Sequence, residues 1–186
     1  MSQRKEVLNL LKTYRPSPEE VVFKERMIAF IEEHPRCFER SLEIGHVTAS
    51  AWLLNKGGTK ALLMHHAKLN KWVQPGGHCD GNPHVLEVAI QEAQEESGIL
   101  QIEAVSSSIF DLDIHEIPER GEVKAHLHYD IRFLLQVTSD EKMKKNGESK
   151  ELLWVDKKLP TQSRSVVRMF MKWTKKEAPL PSDKSI

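Results

Sequence analysis

The stretch from Trp72 to Glu119 contains no lysine or arginine, although it holds ten acidic residues. Lysine plus arginine and aspartate plus glutamate both number 27 in the whole chain, so the formal net charge is zero. That balance argues against a nucleic-acid polymer as partner, because such partners select strongly basic surfaces. The base-free stretch carries −10 and the remainder +10. Charge counting alone leaves two interpretations open, a solvated acidic face and a cation site.

The chain also has only two cysteines and no long apolar run. Cys37 and Cys79 lack CxxC spacing, which favours two reduced thiols over a disulfide or a zinc site. No segment approaches the length of about 20 apolar residues that a membrane span needs, and the N-terminal residues MSQRKEVLNLLKTYR carry charges throughout, unlike a signal peptide. These absences predict a cytoplasmic protein without a membrane partner. Its 186 residues fit one globular domain with a substantial core.

Helical signals occupy the first part of the chain. The sequence SPEE at residues 17–20 combines an N-cap serine, a proline at the first helical position and a glutamate at the third, which is a capping box. A helix should follow and end at His34-Pro35, because the residue before a proline disfavours helical geometry. Residues 1–40 are therefore predicted to form a helical N-terminal extension. Apolar residues at i, i+4, i+7 and i+8 form its packing stripe: Phe23, Met27, Phe30 and Ile31.

Short apolar and alternating patterns after residue 45 predict a sheet. The turn-prone KGG separates two segments that predict a hairpin. A last amphipathic helix is predicted from Val166, Phe170 and Trp173 at i, i+4 and i+7, and residues 177–186 are predicted to be a flexible tail. The predicted strands lie at residues 47–55, 59–66, 72–74, around 104–117, 123–137 and 151–155.

One helix of about four turns is predicted inside the base-free stretch. Asn82 can act as N-cap, Pro83 suits the first helical position, and Gly98 supplies a left-handed stop. A stripe of mostly small and apolar side chains on this helix is suited to close packing on a sheet. Its members are Leu86, Ala89, Ile90, Ala93 and Ser97.

Three glutamates near the end of this helix raise the question of a cation. Glu92, Glu95 and Glu96 stand at i, i+3 and i+4, so their carboxylates lie on one side, where the helix dipole disfavours anions. A hard divalent cation such as Mg²⁺ would neutralise them, and the preceding Gly76-Gly77 would let backbone carbonyls approach it. A solvated helix face is the alternative interpretation of the bare pattern.

The stretch from Gly77 to Ile99 resembles the sequence box of the Nudix hydrolases. That box runs G, five residues, E, seven residues, R-E-U-x-E-E-x-G-U, where U is a bulky aliphatic residue. The spacing from Gly77 to the closing segment EAQEESGI matches without a gap. Pro83 stands where the box has its first Glu, Gln91 stands where it has Arg, and Ala93 is small for a U position.

The resemblance implies the Nudix fold, an α+β structure in which a mixed β-sheet lies between helices as an α/β/α sandwich. The Nudix domain is expected over residues 41–176, between the extension at 1–40 and the tail at 177–186.

The resemblance also implies an activity, the cleavage of a diphosphate linkage by metal-activated water. The substrate would be a small nucleotide-type molecule, a nucleoside diphosphate linked to a group X, with Mg²⁺ as cofactor and Mn²⁺ as the alternative. Glu92, Glu95 and Glu96 would be metal ligands and catalytic residues, with the general base in the same cluster, and the Gly76 carbonyl would be a further ligand. The sequence identifies neither X nor the base, and it leaves a homodimer open.

The two departures from the box motivate a rival interpretation. Gln91 can offer hydrogen bonds but no charge, so the site should hold its metal less rigidly. The rival is a Nudix-fold module that binds a nucleotide or sugar phosphate without turnover. A third class, isomerisation of an isoprenoid diphosphate, would need a Cys and Glu pair opposite the metal, and Cys79 is the only cysteine near the box.

Two strands outside the box carry a second set of candidates. Polar side chains alternate with apolar ones on both strands: Asp111, Asp113 and His115 on the first, His126, His128 and Asp130 on the second. A turn centred between Arg120 and Gly121 makes the numbers of paired residues sum to 241. The predicted pairs are then His115 with His126, Asp113 with His128, and Asp111 with Asp130.

This polar ladder has two interpretations. In the first, His115, His126, His128, Asp113 and Asp130 bind the substrate, directly or through a second metal of the transition series, which His and Asp suit better than Mg²⁺. In the second, the ladder is a structural polar face with internal Asp to His hydrogen bonds.

Overall fold

The computed structural model describes residues 3–156 and 158–177, and these ranges contain four α-helices and eight β-strands. The helices are α1 (Gln3–Thr13), α2 (Val21–Glu33), α3 (Val85–Ser97) and α4 (Arg164–Glu177). The strands are β1 (Gly45–Leu54), β2 (Ala61–His66), β3 (Lys71–Val73), β4 (Gly76–His78), β5 (Ile102–Ala104), β6 (Asp111–Ile117), β7 (His126–Val137) and β8 (Ser149–Val155).

The described strands form one mixed sheet whose central path runs β3-β2-β1-β7-β5. β1 and β7 pair in parallel, from Gly45 opposite Leu127 to Leu54 opposite Gln136. The other pairings are antiparallel, including β6 with β7 and β8 with β2. β4 pairs with Thr48, Ala49 and Ser50 of β1. β2 pairs with β1 further along, at Leu54. The short strand β4 therefore lies directly beside the start of the central strand.

The two faces of the sheet are covered by different helices. Successive residues of β1 point to opposite faces, and Val47, Ala49 and Ala51 join a large core with residues of α1, α2 and α3. On the other face, Trp52 and Leu54 pack in a second core with residues of α4. This arrangement confirms the predicted α/β/α sandwich with a mixed sheet, and the predicted hairpin corresponds to β1 and β2.

The helical N-terminal segment packs into the larger core. The backbone amide and the Oγ of Ser17 both donate to the Glu20 carboxylate, at 2.8 and 2.6 Å, which closes the predicted capping box. Met27 of α2 is fully buried, and Phe30 stacks on Tyr129 of β7 with ring centroids 3.9 Å apart. The apolar stripe of α2 thus lies against the sheet, and the helix ends before the His-Pro pair as predicted.

One predicted strand is wrong in extent. The pattern around residues 104–117 forms two strands, β5 and β6, that are separated by an irregular segment. In that segment the Ser106 Oγ accepts a hydrogen bond from the Ser108 amide at 3.1 Å. Local bonds of this kind compete with strand pairing, which is why a continuous strand does not form.

The start of α3 also differs from the prediction. The Asn82 side chain accepts a hydrogen bond from the His84 amide at 2.9 Å, which makes a turn before the helix. His84 is the N-cap and Val85 the first helical residue, so Pro83 stands outside the helix. The predicted stop is confirmed, because Gly98 has a φ of 72° in the left-handed region.

The register between β6 and β7 corrects the predicted ladder. A turn at Gly121 and Glu122, closed by a pairing of Arg120 with Val123, shifts the partners by two residues. The observed pairs are Asp111 with Arg132, Asp113 with Asp130, and His115 with His128, and their numbers sum to 243. The predicted pairs, His115 with His126, Asp113 with His128, and Asp111 with Asp130, are therefore wrong. Because the sum is still odd, the polar side chains still share one face.

Three smaller expectations concern the cysteines, membrane spans and the tail. Cys37 and Cys79 are buried free thiols, and burial raises the pKa of Cys37 to about 11. None of the helices in the described ranges is long and apolar enough to cross a membrane. The predicted tail lies outside the described residues, apart from Glu177 at the end of α4.

Candidate active site

A cleft of about 730 Å³ lies around the edge strand β4. Because β4 has only three residues, the cleft passes around it and reaches residues from both faces of the sheet. One wall is the end of α3, and the other is the polar face of β1, β6 and β7. The polar groups on these walls include Glu92, Glu95, Glu96, His115, His128 and Asp130.

Two glutamates of α3 are held against the glycine pair of β4. Glu96 is only 4% exposed, and its carboxylate accepts a hydrogen bond from the Gly76 amide at 2.8 Å. A Cβ placed on Gly77 would lie 2.4 Å from the carboxyl carbon of Glu92, and one on Gly76 would lie 2.1 Å from the Ser50 Oγ. Only glycines therefore allow β4 to lie this close to Glu92 on one side and to Ser50 on the other.

The third glutamate lies further into solvent. Glu95 is exposed, and its carboxylate accepts a hydrogen bond from the Nε2 of Gln91 at 2.8 Å. Gln91 occupies the position where the sequence box has its arginine. Its amide therefore orients Glu95 by a hydrogen bond but contributes no positive charge.

The carboxylates of α3 have raised pKa values. Burial raises the pKa of Glu96 to about 8, against the opposing Gly76 hydrogen bond, and neighbouring carboxylates add to the shift. Burial and the Glu95 charge raise the pKa of Glu92 to about 7. Within residues 3–156 and 158–177, no lysine or arginine forms an ion pair with any of the three glutamates. The Arg40 charge opposes the rise in the pKa of Glu92, but Arg40 itself is paired with Asp80.

The aspartates of the base-free stretch are neutralised by contrast. The guanidinium of Arg132, 1% exposed, donates to Asp130 at 2.6 Å and to Asp111 and Asp113 at 3.1 Å each. From α4, Arg168 donates to Asp111 at 2.8 and 2.9 Å. Burial alone would raise the pKa of Asp113, but the His115 hydrogen bond and the Arg132 charge hold it well below its usual value.

Asp130 has further partners on the same face of the sheet. The Oγ of Ser50 donates to its carboxylate at 2.8 Å, and the Oγ1 of Thr48 donates at 3.1 Å. Asp130 is 2% exposed. Its oxygens are thus largely engaged by protein donors, and it forms the floor of the cleft.

Histidines cluster at the end of this polar face where β1 and β7 begin. The ring centroids of His46, His78 and His128 lie 4.8 to 5.1 Å apart, and His126 packs 5.0 Å from His46. Burial lowers the pKa of His46 to about 4 and that of His128 to about 2, and the neighbouring rings add to both shifts. His46 and His128 are therefore neutral at physiological pH. His115 is oriented separately, by its contact with Asp113 at 3.1 Å.

Comparison with known proteins identifies the family. The NUDIX domain family matches residues 45–173, which include the cleft and the glutamate helix. The chain belongs to the Nudix family. Its members are pyrophosphohydrolases, so the protein is a hydrolase that acts on acid anhydrides, and Nudix enzymes generally use divalent metals. No curated protein matches the chain.

Solved structures share the fold. A Nudix-family hydrolase from Clostridium perfringens is 26% identical, with a TM-score of 0.51, over 69% of this chain and 96% of its own. A MutT protein from Methanosarcina mazei Go1 is 22% identical, with a TM-score of 0.57, over 74% and 98%. A UDP-X diphosphatase is 13% identical, with a TM-score of 0.51, over 95% and 97%. The last similarity extends over the N-terminal helices of this Nudix protein.

The structure brings most of the predicted site residues to one cleft. Gly76 and the three glutamates lie on one side, and His115, His128 and Asp130 lie on the other. The Asp113 carboxylate forms a hydrogen bond with His115, and His126 packs on the His46 and His128 rings.

Sequence reasoning missed four residues that matter here: His46, His78, Arg132 and Arg168. Arg132 continues the alternation of His128 and Asp130 on one strand, so the period of two was an available signal. His78 directly follows the glycine pair. His46 and Arg168 gave no local signal, because their neighbours come from distant parts of the chain.

Proposed function

We propose that this Nudix protein hydrolyses the diphosphate linkage of a small nucleotide-type substrate, a nucleoside diphosphate linked to a group X. Glu92, Glu95, Glu96 and the Gly76 carbonyl would hold Mg²⁺, or Mn²⁺ in its place. The observation that carries the proposal is the convergence of Glu92 and Glu96 on the glycine pair of β4, with raised pKa values and without a basic partner in the described part of the chain.

The donor chemistry fits a hard divalent cation. Carboxylate and carbonyl oxygens are the ligands that Mg²⁺ prefers, and buried carboxylates without a counter-charge are costly unless a proton or a cation neutralises them. Glu92 and Glu96 hold protons more strongly than free glutamates do because of burial. A cation that binds there replaces those protons and removes the same electrostatic cost.

The two walls of the cleft have different roles in the proposed reaction: the α3 wall binds the metal and accepts a proton, and the opposite wall contacts the substrate. When bound, the cation supplies positive charge to the phosphate oxygens and makes a water molecule more acidic. One of the three carboxylates accepts the proton from the attacking water, and the hydrogen bond from Gln91 holds Glu95 in place. On the opposite wall, His115 and His128 contact the remainder of the substrate.

Three residues of the predicted ladder, Asp113, His126 and Asp130, have structural roles that bear on whether they contact substrate. The bonds from Arg132 to Asp113 and Asp130 favour the structural interpretation for these two residues. His126 supports the cluster by packing on His46 and His128. Substrate contacts of the ladder are therefore proposed for its histidines at the cleft and not for its aspartates.

The two departures from the family box, Pro83 and Gln91, are expected to lower the reaction rate without changing the type of reaction. Pro83 is buried and stands before α3, so the first glutamate of the box has no substitute there. Gln91 orients Glu95 without charge. We expect weaker metal binding than a site with arginine at this position would have, while the three ligating carboxylates remain.

A substrate panel tests this function. Dinucleotide polyphosphates, ADP-ribose, sugar nucleotides and nucleoside triphosphates are incubated with the protein and Mg²⁺, and cleaved products are quantified with and without EDTA. The expected result is Mg²⁺-dependent cleavage of at least one member at the diphosphate. UDP-sugars belong in the panel because the UDP-X diphosphatase shares the fold over nearly the whole chain.

The rival, a binding module without turnover, predicts a different outcome for the same panel. Saturable binding of one member without any cleavage in Mg²⁺ or Mn²⁺ would favour that rival. Cleavage that is insensitive to EDTA would contradict the role of the metal. A preparation of the Glu96→Gln variant, made in the same way, shows whether any cleavage comes from a contaminating phosphatase.

A further inference from the structure

Three histidines from three strands meet beside the cleft. His46 on β1 is directly opposite His128 on β7 in the parallel pairing. His78 ends β4 opposite Thr48, two residues further along β1 on the same face. One ring nitrogen from each of the three lies within 4.8 Å of the others. The backbone pairing of three strands, and not surface crowding, therefore holds this trio together.

The trio contains buried nitrogens without hydrogen-bond partners. His46 is 3% exposed, and neither of its ring nitrogens makes a hydrogen bond with a residue that the structure describes. The Nε2 of His128 is buried and lacks a partner in the same way. Buried polar groups are normally paired, so these nitrogens are suited to bind a ligand at the centre of the trio.

The geometry points to a transition-metal site, of the Zn²⁺ class, formed by His46, His78 and His128. Neutral imidazoles are ligands for Zn²⁺, Cu²⁺ and Ni²⁺, whereas Mg²⁺ requires hard oxygen donors. This site is distinct from the glutamate cluster in both ligand chemistry and position, because Glu92 and Glu96 approach β4 from the α3 side. It does not depend on the proposed hydrolysis.

The distances are compatible with coordination. Zn–N bonds of about 2.0–2.1 Å in tetrahedral geometry place ligand nitrogens about 3.3 Å apart. The three nitrogens are at most 4.8 Å apart, so metal binding would bring them closer by at most about 1.5 Å. Three histidines leave a fourth position, and because His78 and His128 line the cleft, that position opens toward the substrate.

Metal binding to the trio would also fix the backbone of the glutamate site. His78 is two residues after Gly76, whose amide binds Glu96. An ion that links His78 to β1 and β7 therefore restrains β4 from the face opposite α3. The expected consequence is a thermal stabilisation by Zn²⁺ that persists when the glutamate cluster is disabled.

Zinc binding to the full chain tests the site directly. The chelator-treated protein is titrated with ZnCl₂ in competition with a chromogenic chelator. The expected result is one tight equivalent, and His78→Gln and His128→Gln should each weaken it at least about tenfold, because each removes one of three protein ligands. The matched control is His126→Gln, whose ring packs on His46 and His128 but lies outside the trio.

Two outcomes would overturn the assignment. Zinc affinity that falls as much in His126→Gln as in His78→Gln would remove the trio as the ligand set. Zinc affinity that is lost in Glu96→Gln but kept in His78→Gln would move the ion to the glutamate cluster. With the assignment correct, Glu96→Gln loses hydrolysis and keeps zinc, so a failure of this site and a failure of the proposed function are separable.

A spectroscopic measurement on the unaltered chain covers the case in which the variants fold poorly. Co²⁺ in a nitrogen-rich, four- or five-coordinate site gives intense visible absorption, whereas a six-coordinate oxygen site gives faint bands. Intense bands that Zn²⁺ displaces are the expected result. Faint bands alone, with no change in the histidine ring signals by NMR on Zn²⁺ addition, would refute the site.

Discussion

Two groups of acids in the same base-free stretch have opposite environments. Asp111 and Asp113 are bonded to Arg132 and Arg168, which come from beyond the stretch. Glu96 is buried as well and Glu92 is partly buried, but neither has such a partner among residues 3–156 and 158–177. Acids that look alike in the sequence thus have two environments: the aspartates lie in an internal salt-bridge network, and the glutamates form a carboxylate cluster that can bind an external cation.

The pKa values express the same difference. Charged partners hold the pKa of Asp113 below its usual value, despite burial. Burial without such partners raises the pKa of Glu92 and Glu96 to about 7 and about 8. Asp113 contributes to the stability of the fold as an anion, whereas Glu92 and Glu96 in their anionic form cost stability until a cation binds.

The largest effect is expected from removing the centre of the aspartate network. Arg132→Met would remove the guanidinium that contacts Asp111, Asp113 and Asp130 together, so the free energy of unfolding should fall by about 3–5 kcal/mol. Urea denaturation monitored by circular dichroism measures it. The control is Lys124→Ala, which breaks an exposed pair with Glu43 and should change stability very little. Equal stability of Arg132→Met and the parent would show that the network is not structural.

The glutamate cluster should show the reverse, a loss of function with the fold retained. Glu96→Gln should lower turnover by at least about two orders of magnitude, because a positioned ligand or base is lost, and Glu95→Gln should do so nearly as strongly. Steady-state kinetics on the substrate found in the panel measure this, with the melting temperature as a check on folding. Glu87→Gln is the control, since Glu87 is an exposed residue of the same helix. Near-parental turnover in either variant would contradict the role of the cluster.

The response to Mg²⁺ should depend on pH. Glu92 and Glu96 have folded pKa values of about 7 and about 8, above the value of about 4.3 for an unfolded glutamate. Between these values the folded state binds more protons, so metal-free stability should fall as pH rises toward 8. Mg²⁺ binds the charged form, and millimolar Mg²⁺ should therefore raise the melting temperature more at pH 8 than at pH 5. A response that does not vary with pH would contradict this account.

The smallest effect is expected at Gln91. Gln91→Ala removes the hydrogen bond to Glu95 and should weaken Mg²⁺ activation by about tenfold, as for other residues that orient a ligand. Mg²⁺ titration of the activity measures it. Gln94→Ala is the matched control, because Gln94 donates instead to the Leu100 carbonyl. Gln91→Arg should act in the opposite direction, and a loss of activation in that variant would mean that Gln91 is not an orienting residue.

Local patterns predicted the parts of the fold that depend on neighbours in the chain. The capping box before α2 and the stop at Gly98 are both local, and the structure agrees with each. The start of α3 and the strand around residues 104–117 were wrong, because side chains at Asn82 and Ser106 make local hydrogen bonds that end regular structure. The residues that ligate metal in this chain are still a prediction.

The sequence by itself determined which acids lack basic neighbours along the chain, which face of each strand is polar, and the family to which the box belongs. Only the tertiary structure decided which acids are neutralised. Arg132 contacts Asp111 and Asp113 because of the register between β6 and β7. A shift of the turn by one residue would move the partner of each β6 residue by two positions along β7. His46 meets His128 through the parallel pairing of β1 and β7. Such pairings follow from the packing of the whole sheet, and no local periodicity encodes them.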